Sequence, residues 1–351
     1  MGFSLEKVLS EIQPLSQAAM REVQEQLDKK LKPPGSLGKL EGLAVRMAGI
    51  YGLPFPELSK KAIVMMAADN GVYEEGFNSY PQETSRDLAE LAGSGLIAVS
   101  VLARHAGARL LVVDVGLKGE VKGSHIVKRK VRAGTANMTK GPAMSGEEAL
   151  KALAAGFAVT GELVKEGTQV LGMGEVGICN TTTSAAVLAA LTGKRPVEVV
   201  GGGTGGDTHA YHLKLKAVET ALSINKPNPA DPLDVLAKVG GLEIAAMTGS
   251  CLAAAYYRKP IVIDGFIAGV AALAAARMHP LVKEYLLPSH LSAEKGAWAV
   301  LEALQMEPLL LMEMRLGEGT GAALAFNLLD AAVKIYQEMG SFADICYDKI
   351  R

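Results

Sequence analysis

Aromatic residues are scarce in this chain, at 5%, although 49% of it is apolar, so its core must be filled by Ala, Leu, Val and Gly rather than by large rings. Small side chains let helices lie close on a parallel sheet, which points to an α/β architecture. An excess of one charge is also lacking: 36 Lys and Arg stand against 37 Asp and Glu, with no long basic block. Neutralising phosphates along a nucleic acid needs such a block, so nucleic-acid binding is not expected. Only three cysteines occur, Cys179, Cys251 and Cys346, an odd number without metal-ligand spacing. They fit a reduced, cytoplasmic protein better than a disulfide scaffold. The longest apolar run, 261–276, is interrupted by Asp264 and glycines and is too short for a membrane span. Residues 1–31 are charged and amphipathic, without the apolar core of a signal peptide. No repeat, low-complexity tract or linker is visible, and 351 residues allow one large domain or two modest ones.

What is present is an alternation of short apolar runs and helical patterns. Residues 4–31 show helical spacing, stopped by Pro33-Pro34-Gly35, and a second helix is expected from about 36 to 51. Lys61–Ala68 is a continuous apolar run, as for a strand covered on both faces, and it ends in Asp69-Asn70-Gly71. Further strands are expected at 110–115, 168–171, 197–200 and 260–263. Helices are expected between them, one opened by the capping box Ser145-Gly-Glu-Glu148 and another capped by Ser292. This alternation predicts an α/β fold with a Rossmann-like parallel sheet flanked by helices, spanning 55–320. The segments 1–54 and 321–351 lie outside it and are expected to build a smaller helical domain together.

Three constellations carry chemistry. The stretch Arg315-Leu-Gly-Glu-Gly-Thr-Gly321 sets Glu318 between glycines just before a helix-like run. A carboxylate there is either a cap or a group aimed at a substrate. The second, Gly172-x-Gly174-x-x-Gly177, matches a dinucleotide fingerprint, with Glu198 at about the expected distance. However, Glu198 precedes the apolar residues of its expected strand, and Glu175 inside the loop would face a pyrophosphate. The third, Gly201 to Gly206 with Thr204 and then Lys214, offers backbone N–H groups and a point charge to a phosphate, which suits a mononucleotide. His209 and His212 share a helix face with no third ligand nearby and read as surface histidines, so no metal is expected. Asp69, Asp264, Ser289, His290 and Ser292 fall beyond strand ends, where open parallel sheets bind ligands.

Beyond these, the chain carries Lys32-Pro-Pro-Gly-Ser-Leu-Gly-Lys-Leu-Glu41, Ala68-Asp-Asn-Gly71, Tyr80-Pro-Gln-Glu83, Gly174-Glu-Val-Gly177 with Asn180-Thr-Thr182, Lys238-Val-Gly-Gly241, Asp264-Gly-Phe266, Ser289-His290, Ser292-Ala-Glu294 and Arg315 to Gly321. In this set and order the chain resembles the nicotinate-nucleotide:5,6-dimethylbenzimidazole phosphoribosyltransferase family over nearly its whole length. The resemblance implies a cytoplasmic homodimer without cofactor or metal. It also implies transfer of phosphoribose from nicotinate mononucleotide to a ring nitrogen of the base, in cobamide lower-ligand synthesis. By position, Glu318 matches the catalytic base. Glu175, Gly177, Gly201, Gly202, Gly203, Thr204, Lys214, Asp264 and Ser292 match the mononucleotide side. Tyr80, Pro81, Leu88, Arg315 and Leu316 match the base side. Asn70 and Gly202 depart from the family, where His and a basic residue are common, and so does the segment 205–212. These departures bear on base preference and phosphate contact. A branch using phenol or p-cresol, an NAD-linked dehydrogenase and a non-catalytic nucleotide-binding subunit are the other readings.

Overall fold

In the computed structural model, which describes residues 3–344 except Phe55, Ser124 and 204–206, six strands form one parallel sheet. They are β1 (Lys61–Ala68), β2 (Ala108–Gly116), β3 (Ile126–Lys128), β4 (Val170–Val176), β5 (Ile261–Ile263) and β6 (Leu286–Pro288), in the order β3-β2-β1-β4-β5-β6. Between β1 and β4 the order reverses, which opens a crevice beyond the carboxyl ends of the strands.

β1 shows why the sheet sits where it does. Its side chains point alternately to two cores, since strand periodicity is two. Ala62, Val64 and Met66 join a core with α6 (Gly146–Lys165), α7 (Asn180–Thr192), α11 (Leu242–Tyr256) and α12 (Phe266–Met278). Ile63, Met65 and Ala67 join another with α2 (Gln17–Asp28), α3 (Lys39–Tyr51), α4 (Thr84–Gly93), α5 (Ala98–His105) and α14 (Thr320–Glu338). The shortage of large side chains has its clearest consequence where α6 crosses α11. A Cβ on Gly156 would lie 1.8 Å from the Ala246 carbonyl oxygen, and one on Gly249 would lie 1.9 Å from that of Leu153. The two helices therefore touch through backbone, which only glycine allows.

The remaining helices are α1 (Leu5–Glu11), α8 (Pro196–Val199), α9 (Thr208–Asn225), α10 (Pro232–Val239) and α13 (Ala297–Leu304). The terminal helices α2, α3 and α14 pack against one another, and α14 also lies on β1, β4 and β5. Residues 84–105 are long and apolar enough by composition to cross a bilayer. They form two helices, α4 and α5, with Gly95 at φ +83° between them, and both contact β2.

Several local expectations are corrected. Residues 197–200 are not a strand: Pro196 opens the helical turn α8, and the Glu198 side chain accepts the Arg195 N–H at 2.9 Å. The fourth strand does not stop at 171 but runs through Gly172, Gly174 and Glu175 to Val176. β6 was not anticipated. Ser292 does not cap α13, whose N-cap is Gly296; its hydroxyl accepts the Glu294 N–H instead. The N-terminal helical run is two helices, α1 and α2, and between them Glu284 accepts the Leu15 N–H at 2.9 Å.

Candidate active site

The loop before α14 holds three successive left-handed residues, Gly317 (φ +82°), Glu318 (+65°) and Gly319 (+99°). A non-glycine residue there is strained by about 1 kcal/mol and persists only where its surroundings over-determine it. Those surroundings are carboxylates. Asp264, next after β5, accepts the N–H groups of Gly319 (3.1 Å), Gly321 (2.6 Å) and Ala322 (3.3 Å). Glu175, on β4, accepts the Glu318 N–H at 3.3 Å and a hydrogen bond from the Asn180 amide. The strand and the loop touch so closely that a Cβ on Gly174 would sit 2.1 Å from the Glu318 carbonyl oxygen. A Cβ on Gly317 would sit 2.4 Å from Glu175 Oε1. Gly172 and Gly174 are thus strand residues, not a turn around a dinucleotide, and Gly174 makes room for this loop while Gly172 faces the Phe326 and Ala322 side chains.

Glu318 is 8% exposed, and its Oε2 has no hydrogen-bond partner among the described residues. Burial, and then the charge of Asp264, pushes its carboxyl up to about 7. Burial, and then the same charge, pushes Glu175 up to about 8. Acids crowded into a low dielectric cannot all ionise, so at neutral pH Glu175 keeps its proton while Glu318 is poised to take or give one.

Two clefts meet at Glu175, and Glu318 lines the first of them. The first is largely apolar and is lined by Tyr80, Leu88, Val176, Ile178 and Leu316, together with Glu318, Glu175 and Gly177. The second is mixed, with the polar side chains of Thr181, Asp264, Ser292, Glu294 and Arg315 beside Phe266 and Ile267. Glu175, Asn180 and Leu316 border both. Behind the first cleft, a Cβ on Gly177 would meet the Ala68 carbonyl oxygen at 2.4 Å. Beyond the second, Lys214 on α9 is buried and donates to the Gly202 carbonyl oxygen at 3.0 Å. Burial holds its ammonium below the ordinary value, with Cys179 and Glu294 opposing. Burial pushes Glu294 up, against the pull of Lys214 and Arg315 and of a hydrogen bond from the Gly203 backbone.

Of the residues singled out in the sequence, Tyr80, Leu88, Leu316, Glu175, Gly177 and Glu318 are gathered at the first cleft. Asp264, Ser292 and Arg315 are gathered at the second, so Arg315, expected on the base side, lies with the polar group. Gly201, Gly202 and Gly203 border Glu294 and Lys214. Pro81 is exposed and outside the lining of the first cleft. Thr204 lies outside the described residues. Glu294 and Asn180 were not chosen from the sequence as site residues; the acid two places after Ser292 and the polar cluster opening α7 were the available signals.

A family model described as "Phosphoribosyltransferase" matches residues 12–345. A nicotinate-nucleotide–dimethylbenzimidazole phosphoribosyltransferase of Ruminiclostridium cellulolyticum is 48% identical over 341 residues, 97% of each chain. One from Acetivibrio thermocellus is 46% identical over 343 residues, 98% of each. A crystal structure of the enzyme so named from Thermus thermophilus superposes with a TM-score of 0.89 at 41% identity, covering 94% of this chain and 98% of that one.

Proposed function

The chain belongs to the nicotinate-nucleotide–dimethylbenzimidazole phosphoribosyltransferase family, and from that premise we infer that it transfers the 5-phosphoribosyl group of nicotinate mononucleotide to a benzimidazole nitrogen. The products are nicotinate and α-ribazole 5′-phosphate, a step of cobamide synthesis. The observation that carries this reading is Glu318: a buried carboxylate with one unpartnered oxygen, lining an apolar cleft fit for a flat base that adjoins a second cleft at Glu175.

The base occupies the first cleft, against Tyr80, Leu88 and Leu316. Its unprotonated nitrogen attacks the anomeric carbon from the face opposite the nicotinate. The carbon–nitrogen bond to nicotinate breaks, and its electron pair neutralises the pyridinium. Bond formation makes the remaining N–H of the base acidic, and Glu318 takes that proton. Positive charge building on the sugar faces the carboxylates of the second cleft. Nicotinate mononucleotide lies there, with its phosphate near Lys214 and the 201–203 backbone. That anchor lets remote binding energy place the reacting carbon.

The test is to incubate the protein with nicotinate mononucleotide and, separately, dimethylbenzimidazole, other benzimidazoles, adenine, phenol and p-cresol, and to assay nicotinate and ribotide. No product with any acceptor would end this reading; product with phenols alone would move the chain to the phenolic branch. For the phosphate anchor, Lys214→Ala is expected to raise the donor KM about tenfold with kcat nearly unchanged. An unchanged KM would take Lys214 out of that role.

The same reading includes a cytoplasmic homodimer. On α4, α5 and the turn between them, Leu91, Leu96 and Val101 are 42%, 70% and 51% exposed, an apolar surface of the kind that second copies cover. Light scattering at micromolar concentration is expected to give twice the chain mass, and the single mass would remove the dimer. The division into a 55–320 catalytic part and a helical part from both termini is kept as a proposal, supported by the mutual packing of α2, α3 and α14.

A further inference from the structure

Asp264 was expected to touch the mononucleotide, yet its carboxylate is committed elsewhere. Oδ1 accepts the N–H groups of Gly321 and Ala322, and Oδ2 accepts that of Gly319. These donors are 55 to 58 residues away in sequence and belong to one feature, the loop and first turn that open the 19-residue helix α14. Such a helix presents unpaired N–H groups and partial positive charge at its start, and a carboxylate there both caps it and favours its geometry. Asp264 is itself fixed. It is 3% exposed, and its carbonyl oxygen accepts the Ser289 hydroxyl at 2.8 Å. Ser289 Oγ is also 2.9 Å from His290 Nδ1. His290 presses on the same turn, since a Cβ on Gly321 would lie 2.1 Å from Nδ1.

We propose that Asp264 is the positioning residue for Glu318: its carboxylate clamps the start of α14 and so holds the left-handed 317–319 loop that aims the base at the substrate. This rests on Glu318 being the base, as inferred above. It assigns Asp264 to the enzyme's own backbone and not to the ribotide. The ionisable groups around the loop are Glu175 on β4, Asp264 after β5 and His290 after β6, with Arg315 and Glu294 across the second cleft. Burial raises the Asp264 carboxyl as well, opposed by His290 and the three N–H groups that it accepts, and the negative charge it carries when ionised disfavours a second charge on Glu318.

Asp264→Asn keeps the shape and one accepting oxygen while removing the charge. Steady-state assays from about pH 5 to about pH 9 are expected to show kcat down about tenfold, with the donor KM within about threefold of wild type. The acid limb of the kcat profile should move about one pH unit lower, because losing a neighbouring negative charge makes Glu318 easier to ionise. A donor KM raised about tenfold with an unmoved limb would make Asp264 a ligand for the donor and overturn the proposal. If Asp264→Asn fails to fold, Asp264→Glu retains the charge but misplaces it. Its kcat should fall while the limb and the donor KM hold, and a raised KM with kcat intact would count against the clamp. Hydrogen exchange at the 319–322 amides needs no turnover, so it decides the matter even if the transferase reading fails. Protection there should drop in Asp264→Asn, and unchanged protection would overturn the proposal.

Discussion

Replacing Glu318 by Gln is expected to lower kcat about a thousandfold, near 4 kcal/mol of barrier, while the donor KM stays within about threefold. The amide is nearly isosteric and accepts similar hydrogen bonds, so the loop should survive; what is lost is the ability to hold a proton. The sign of the pH dependence follows from the same side chain. Glu318 is useful as a base only when ionised, and burial with the Asp264 charge pushes its carboxyl up to about 7. Wild-type kcat should therefore fall as pH drops through about 7, and Glu318→Gln should flatten that limb along with the rate. Product formation followed across pH checks both. A variant with wild-type rates would remove Glu318 from the role of base.

How much of this could be read from the chain differs by element. β1 was legible to the residue because both its faces are covered, so Lys61–Ala68 is apolar without alternation. α6 was legible from Ser145 and Glu148, whose reciprocal cap forms as expected. Glu318 stood out because its glycine neighbours permit the left-handed loop it occupies. What misled was non-local. Gly172 and Gly174 read as a turn because glycine weakens strands, yet both are strand residues, and Glu318, which packs on Gly174, is 143 positions from the Glu175 that binds it. Residues 197–200 read as a strand because their three valines outweigh the little periodicity a four-residue run can carry, whereas Pro196 and Glu198 decide for a helical turn. Asp264 was visible as a strand-end acid, but the N–H groups it binds belong to a helix more than fifty residues later. Position beyond a strand says that a side chain is at the crevice. It does not say whether that side chain faces a ligand or holds the protein's own backbone.

That distinction makes Gly174→Ala the sharper test of the site's architecture. The added Cβ would meet backbone, not side chain: the Glu318 carbonyl oxygen at 2.1 Å, its carbon at 2.7 Å and the Gly319 nitrogen at 3.0 Å. Neither partner yields easily. β4 is hydrogen-bonded between β1 and β5, and the loop is tied down by Asp264 and Glu175. Relief requires the loop to lift by about an ångström, which shifts Glu318 by a similar amount. A misplacement of that size costs about a hundredfold in rate, and the overpacking costs about 1–3 kcal/mol of stability. Gly172→Ala is the control on the same strand. There a Cβ meets the Phe326 ring at 3.0 Å and the Ala322 methyl at 3.2 Å, side-chain atoms on α14. It is expected to lose some stability and to keep kcat within about threefold. A dinucleotide site would need both glycines and would lose cofactor affinity in both variants. A loop braced on β4 needs Gly174 for turnover and Gly172 only for packing. Melting curves and kcat for the two variants separate these outcomes, and equal losses of activity in both would contradict the bracing of Glu318 by the strand.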